Sequence, residues 1–214
     1  LWICVRIFWF HVASPMTSGF GLRVSPSSVL KNLLRQYPSG SQFLSEALQN
    51  ADDTGQARCF RVLLDLRRHG VRSLRQPQEA RAELQGEALL FYDDAGFQER
   101  DWISLQNIYE SEKLHSPHET GMYGMGSRSF FHITDVLQVL SGSRLASLDP
   151  DDILKSGNYG EQIDFVTDTL DSHRGRGSLS EVFPDECAPF VGVFGCSMRE
   201  PFKGTIIRAS LRTP

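Results

Sequence analysis

Between Val29 and Tyr37 the apolar residues fall at Val29, Leu30, Leu33, Leu34 and Tyr37, the spacing of one helix face, and Ser25-Pro26-Ser27-Ser28 ahead of them is a helix start. Pro38-Ser39-Gly40 stops that helix. A second is predicted from about Ser41, with Phe43, Ala47 and Ala51 on an apolar stripe, Glu46, Asn50 and Asp53 on another, and Gly55 at its end. From Arg58 to Asp65 the period changes to alternation, Phe60, Val62 and Leu64 against Cys59, Arg61 and Leu63, which predicts a strand with at least one well-buried face.

His69 to Gln85 is polar and reads as a loop, and Ala88 to Tyr92 is a second strand running into Asp93-Asp94-Ala95-Gly96. Helical spacing returns over residues 98–109 through Trp102, Leu105 and Ile108. A polar stretch, Glu110 to Thr120, then leads into the glycine turn Gly121-Met122-Tyr123-Gly124-Met125-Gly126, and Ser127 to His132 opens another helix. Val136 to Leu140, Arg144 to Leu148, Phe190 to Phe194 and Thr205 to Leu211 read as strands, whereas Asp149 to Ala188 matches neither period. Helices and hairpin-like strands without a βαβ rhythm predict an α+β fold, a two-layer α/β sandwich with helices packed on one face of a mixed, mostly antiparallel sheet.

Composition narrows the function without naming it. A chain of 214 residues, 40% hydrophobic, suits one core. The 22 basic and 26 acidic residues, net charge -4, are spread without blocks, so neither nucleic acid nor a membrane surface is indicated as a partner. Cys4, Cys59, Cys187 and Cys196 form no C-x-x-C pair and read as structural thiols of a reducing compartment, which makes a cytoplasmic location the expectation. Residues 1–20 stand apart as a leader, misassigned or disordered: Trp2 to Phe10 is apolar apart from Arg6, too short to span a bilayer, and Met16 is a candidate start. The domain proper is expected over residues 21–214.

Four features could carry chemistry. Glu46 and Asn50, at i and i+4, project from one helix flank; a carboxylate can orient or deprotonate a water, and an amide oxygen is a hard ligand suited to Mg²⁺. Asp93 ends an apolar strand, where an acceptor could take the exocyclic amine of adenine. Gly121, Gly124 and Gly126 precede a helix start, where backbone N–H groups can approach phosphates. Gly204-Thr205 opens the last strand, where a hydroxyl could bond a base or a bridging water. Singly, these are also what a solvated helix face, two turns and an ordinary strand look like.

In this order over about 160 residues, the set resembles the GHKL superfamily of gyrase, histidine kinases and the ninety-kilodalton heat-shock chaperone, whose nucleotide-binding domain has the Bergerat fold. The surrounding residues are similar to a sacsin-type repeat domain: Gln36-Tyr37-Pro38, Glu46-x-x-x-Asn50-Ala51-x-Asp53, Gly121-x-x-Gly124-x-Gly126, His132-Ile133-Thr134-Asp135-Val136, Leu148-Asp149-Pro150 and Ala188-Pro189-Phe190-Val191-Gly192-x-Phe194-Gly195. The resemblance implies ATP and Mg²⁺ as ligands, with Glu46 as the water-activating carboxylate, Asn50 on the metal, and Asp53, Asp93 and Thr205 around the nucleotide. It also implies phosphate contacts from Gly121, Gly124, Gly126 and Lys113, at the hinge and within a lid over residues 110–120.

The superfamily's Asp-x-Gly-x-Gly reads Asp93-Asp94-Ala95-Gly96-Phe97 here, so both expected glycines are replaced. Two functions remain open. One is a weakly ATP-hydrolysing domain of a sacsin-like chaperone or co-chaperone, with protein clients and co-chaperones of the seventy-kilodalton heat-shock type as partners beside ATP and ADP. The other is a GHKL-like scaffold without efficient turnover that serves as a protein-interaction module.

Overall fold

The first two amphipathic patterns become α1 (Pro26–Gln36) and α2 (Gln42–Asp53), the second closed by Gly55, which takes φ 63° and donates its N–H to the Asp52 carbonyl at 2.9 Å. This computed structural model describes residues 25–36, 42–106, 126–172 and 175–212. The predicted leader, the lid segment with Lys113, and Gly121 and Gly124 lie outside these residues. After α2 come β1 (Phe60–Asp65), α3 (Gln78–Glu83), β2 (Ala88–Asp93), α4 (Glu99–Gln106) and a 3₁₀ helix, Gly126–His132. Then follow β3 (Leu137–Gly142), β4 (Arg144–Leu148), β5 (Gly160–Asp164), β6 (Leu170–Ser172), β7 (Gly175–Gly177), α5 (Leu179–Val182), α6 (Pro184–Cys187), a 3₁₀ turn at Val193–Gly195 and β8 (Phe202–Ser210).

Six strands form one sheet in the order β1-β2-β8-β3-β4-β5, every pairing antiparallel, and β6 with β7 makes a separate ribbon. The alternation read from β2 and β8 sends successive side chains to opposite faces. On one face Phe91, Leu137, Val139, Ala146, Ile207 and Ala209 pack against Leu30, Ala47, Trp102, Leu105, Phe130 and Phe131 from α1, α2, α4 and the long 3₁₀ helix. Phe91 and Phe130 meet edge to face at 5.1 Å, and Phe43 of α2 lies 6.3 Å from each. The fold class is α+β as predicted, with these helices on one face of the antiparallel sheet.

The other face is covered too. Leu90, Leu140, Leu145, Ile163 and Ile206 pack under Phe165, Leu179, Val182, Phe190 and Met198, so the stretch with no readable period, together with residues 189–198, builds the second layer. An ionic cluster joining α3 and the loop before it to β5 and α6 fastens that layer down. Glu186 accepts from Arg75 at 2.6 Å and Arg81 at 2.9 Å, and Glu161 accepts from the same two arginines at 2.8 Å each. Cys187 and Cys196 are buried and free, and burial pushes the Cys187 thiol up to about 12 and the Cys196 thiol in the same direction, away from the reactive thiolate.

Four expectations change. The strand β1 was expected to have a well-buried face, but it is a sheet edge with Val62 46% and Leu64 54% exposed. The polar run His69 to Gln85 contains α3, short enough to escape any period. Phe190 to Phe194 is not a strand: Gly192 (φ 79°) and Phe194 (φ 49°) turn the chain. The helix after Gly126 is 3₁₀ rather than α. No helix among the described residues is long and apolar enough to cross a membrane.

Candidate functional site

One end of the sheet collects the predicted polar residues. Asp93 is the last residue of β2 and stands directly across from Thr205 of β8, which in turn pairs with Ser141 of β3. By strand parity all three side chains rise on the face where α2 packs, beyond Phe91, Ile207 and Val139. Asn50 is 4% exposed and Glu46, one turn earlier on the same flank, is half-buried beside the stripe of Ala47 and Ala51. Asp53 is exposed, further round the helix. The Asn50 Nδ2 is buried with no hydrogen-bond partner among the described residues, a group that an acceptor on a ligand would satisfy.

The loop after β2 is tied at several points. Asp93 Oδ1 accepts the Ala95 N–H at 2.9 Å, and Thr205 Oγ1 donates to the Ala95 carbonyl at 2.8 Å. Asp94 faces the other way, its carboxylate accepting the Arg58 and Cys59 N–H groups at 2.7 and 2.9 Å. Asp101 Oδ2 accepts the Gln98 N–H at 2.7 Å and so caps α4, whose Trp102 meets Phe97 edge to face at 5.0 Å. Gly204 is required here: at φ 116° any Cβ would collide with the Asp93 carbonyl oxygen and sit 2.9 Å from the Tyr92 ring.

Burial in this ring of backbone pushes the Asp93 carboxyl up to about 7, against the Ala95 N–H, which favours the charged form. An acid so poised accepts as a carboxylate and both donates and accepts as a carboxyl, suiting a partner that presents an amine beside a ring nitrogen. Just past the end of α2, Thr54 and Gln56 with Ala95, Gly96, Gln98, Arg100 and Asp101 line a cleft of about 10 Å³, room for one water molecule, and none of the predicted site residues lines it. A larger groove of about 410 Å³, lined by Leu74, Gln76, Gln78, Asp171 and Phe183, holds none of the predicted residues, and its Arg75 is committed to Glu161 and Glu186.

The structure therefore brings Asp93 and Thr205 together and lays the helix of Glu46 and Asn50 over the same face. Gly126 opens the 3₁₀ helix against which α2 rests. Sequence reasoning missed Ser141 and Asp101. Asp101 was legible as an acid three residues into a helix after a polar N-cap position. Ser141 carried no signal, being one serine at the end of an apolar strand.

Comparison with known proteins identifies the family. A family model described as the Sacsin domain matches residues 25–214. The human protein sacsin is 37% identical over 187 residues, which is 86% of this chain and 4% of that protein's length. The chain is thus similar to a small part of a far longer relative, and it belongs to the sacsin domain family.

Proposed function

We propose that this chain is a Mg²⁺-dependent, weakly hydrolysing ATP-binding domain of GHKL type within a sacsin-like chaperone or co-chaperone. The observation that carries this reading is the juxtaposition of buried Asp93 with Thr205 across a strand pair, fixed by Gly204, on the sheet face that α2 covers. Asp93 takes the exocyclic amine of adenine, and Thr205 steadies the loop carbonyl behind it. Asn50 would offer an amide oxygen to Mg²⁺ beside the phosphates, and its buried Nδ2 would be available to a phosphate oxygen or a water. Mg²⁺ held there would supply charge neutralisation to the phosphates.

Glu46, on the same flank, orients the attacking water. Gly126, with Gly121, Gly124 and Lys113 outside the described residues, receives the phosphates, and Asp53 stands at the rim. Because hydrogen bonds pin the loop from Ala95 to Phe97, room for the base comes from movement on the α2 side. Protein clients, heat-shock co-chaperones and a cytoplasmic setting belong to this same reading.

A second reading has its own support. The narrow cleft and the replacement of two glycines by Ala95 and Phe97 favour a scaffold without turnover. Calorimetric titration with Mg·ATP separates the two: binding is expected, and a flat titration at millimolar ATP would leave the scaffold alone standing. Glu46→Ala should then retain affinity while phosphate release falls by about a hundredfold or more. Unchanged turnover in that variant would exclude Glu46 as the base.

A further inference from the structure

We propose that Ser141 is a positioning residue of the nucleotide site, holding the Asp93 loop and Thr205 in the arrangement that reads the base. This rests on the ATP-binding reading above. Ser141 sits where β3 and β8 fall out of register: Ser141 pairs with Thr205, but the next residue, Gly142, pairs with Phe202. Two residues of β8, Lys203 and Gly204, therefore bulge from the ladder, and the Gly204 carbonyl has lost its place in it. The Ser141 hydroxyl takes up that carbonyl, donating to it at 2.8 Å.

The same oxygen accepts the Phe97 N–H at 2.9 Å and lies 3.3 Å from Thr205 Oγ1. A hydroxyl has one proton: that of Ser141 goes to the Gly204 carbonyl and one lone pair takes the Phe97 N–H, in a side chain 2% exposed, while the proton of Thr205 stays with the Ala95 carbonyl. Three bonds then fix the loop: Asp93 to the Ala95 N–H, Thr205 to the Ala95 carbonyl, and Ser141 to the Phe97 N–H. The first two involve the proposed base-reading residues, and Ser141 links them across the sheet to the far end of the loop, where Asp101 holds the Gln98 N–H and Trp102 meets Phe97. Where related domains have glycines, this chain has Ala95 and Phe97, and the Ser141 clamp sets the backbone that those side chains must follow.

Ser141→Ala removes the hydrogen bonds to the Phe97 N–H and the Gly204 carbonyl and loosens the Phe97 side of the loop and the bulge of β8. Measured by calorimetry at 10 °C with Mg·ATP and Mg·GTP, its ATP affinity should fall about five- to twentyfold, and its preference for ATP over GTP should shrink with it. Ser141→Thr, which keeps the hydroxyl, should restore both. Ile163→Ala, in the core on the opposite sheet face, should lower the melting temperature and leave affinity and preference unchanged.

If Ser141→Ala does not fold, Ser141→Cys, of similar shape with a weak donor, should show the same direction of loss. Wild-type binding with an unchanged Ser141→Ala, a parallel loss in Ile163→Ala, or no rescue by Ser141→Thr would each overturn the positioning role while leaving ATP binding intact. No binding of ATP by the wild-type chain would overturn both.

Discussion

Replacing Asp93 by Asn should make the domain more stable at pH 8 and leave it nearly unchanged at pH 4.5. The carboxyl is pushed up to about 7 in the folded chain, against an ordinary value of 3.8. Between those values the folded state holds a proton that the unfolded state has released. Stability therefore falls as pH rises from about 4 to about 7 and is flat above. At about 1.4 kcal/mol for each factor of ten in the proton equilibrium, the gap of about three powers of ten sets a ceiling of about 4 kcal/mol.

Asp93 is 8% exposed, and water reaching the carboxylate brings the working expectation nearer 2 kcal/mol. Asn keeps an Oδ1 for the Ala95 N–H and removes the ionisation, so the variant should lack this slope. Urea unfolding of both proteins at half-unit steps from pH 4.5 to 8 gives the difference directly, since every other titrating group cancels. A gain of about 2 kcal/mol at the alkaline end is expected, equivalent to roughly 4–8 °C in melting temperature for a domain of this size. Two curves that stay parallel within about 0.5 kcal/mol across the range would refute the argument, showing that Asp93 is charged and well solvated in the fold.

Glu186→Gln should destabilise the domain by about 3 kcal/mol in urea unfolding, because it leaves the buried Arg81 and its neighbour Arg75 sharing Glu161 alone; a loss under 1 kcal/mol would mean the cluster is solvated. Gly204→Ala should cost about 3 kcal/mol or more by the same assay, whereas Gly157→Ala, also at positive φ (75°) but facing open space, should cost only about 1 kcal/mol. Equal losses at the two glycines would remove the case for a close approach at Gly204. ATP binding to Asp93→Asn should weaken at least tenfold across pH 6–8, and wild-type affinity should itself vary with pH around 7; a pH-independent affinity shared by both would detach Asp93 from the base.

Much of the helical layer was legible because its signals are local. The spacing of Leu30, Leu34, Phe43, Ala47, Trp102 and Leu105 names the residues that meet Phe91 and Phe130. The strand β1 misled because alternation reports which face a side chain takes, not whether anything covers it, and sheet position is a long-range property. Residues 149–188 hid β5 to β7, α5 and α6 because elements of three to five residues are too short for a period to declare itself. Asp93 does end β2 as read, whereas Thr205, expected to open the last strand, lies inside β8, which begins at Phe202. Ser141 was not legible, since its role exists only through a register shift between two strands some sixty residues apart.

The position of β8 has a consequence for how such a domain is made. It is the last strand of the sheet in the chain, yet it lies between β2 and β3, which do not touch one another. On the ribosome, therefore, β1 with β2 and β3 with β4 and β5 emerge as two half-sheets, each presenting an open inner edge. The stretch from Ser143 to Pro201 must then be synthesised before the joining strand exists, several seconds at roughly 5–20 residues per second. Through that interval Leu90, Leu140 and their neighbours lack the strand that carries Ile206 and Ile207. A chain truncated anywhere before Phe202 would stay in that state permanently, as two sticky halves rather than a shortened domain.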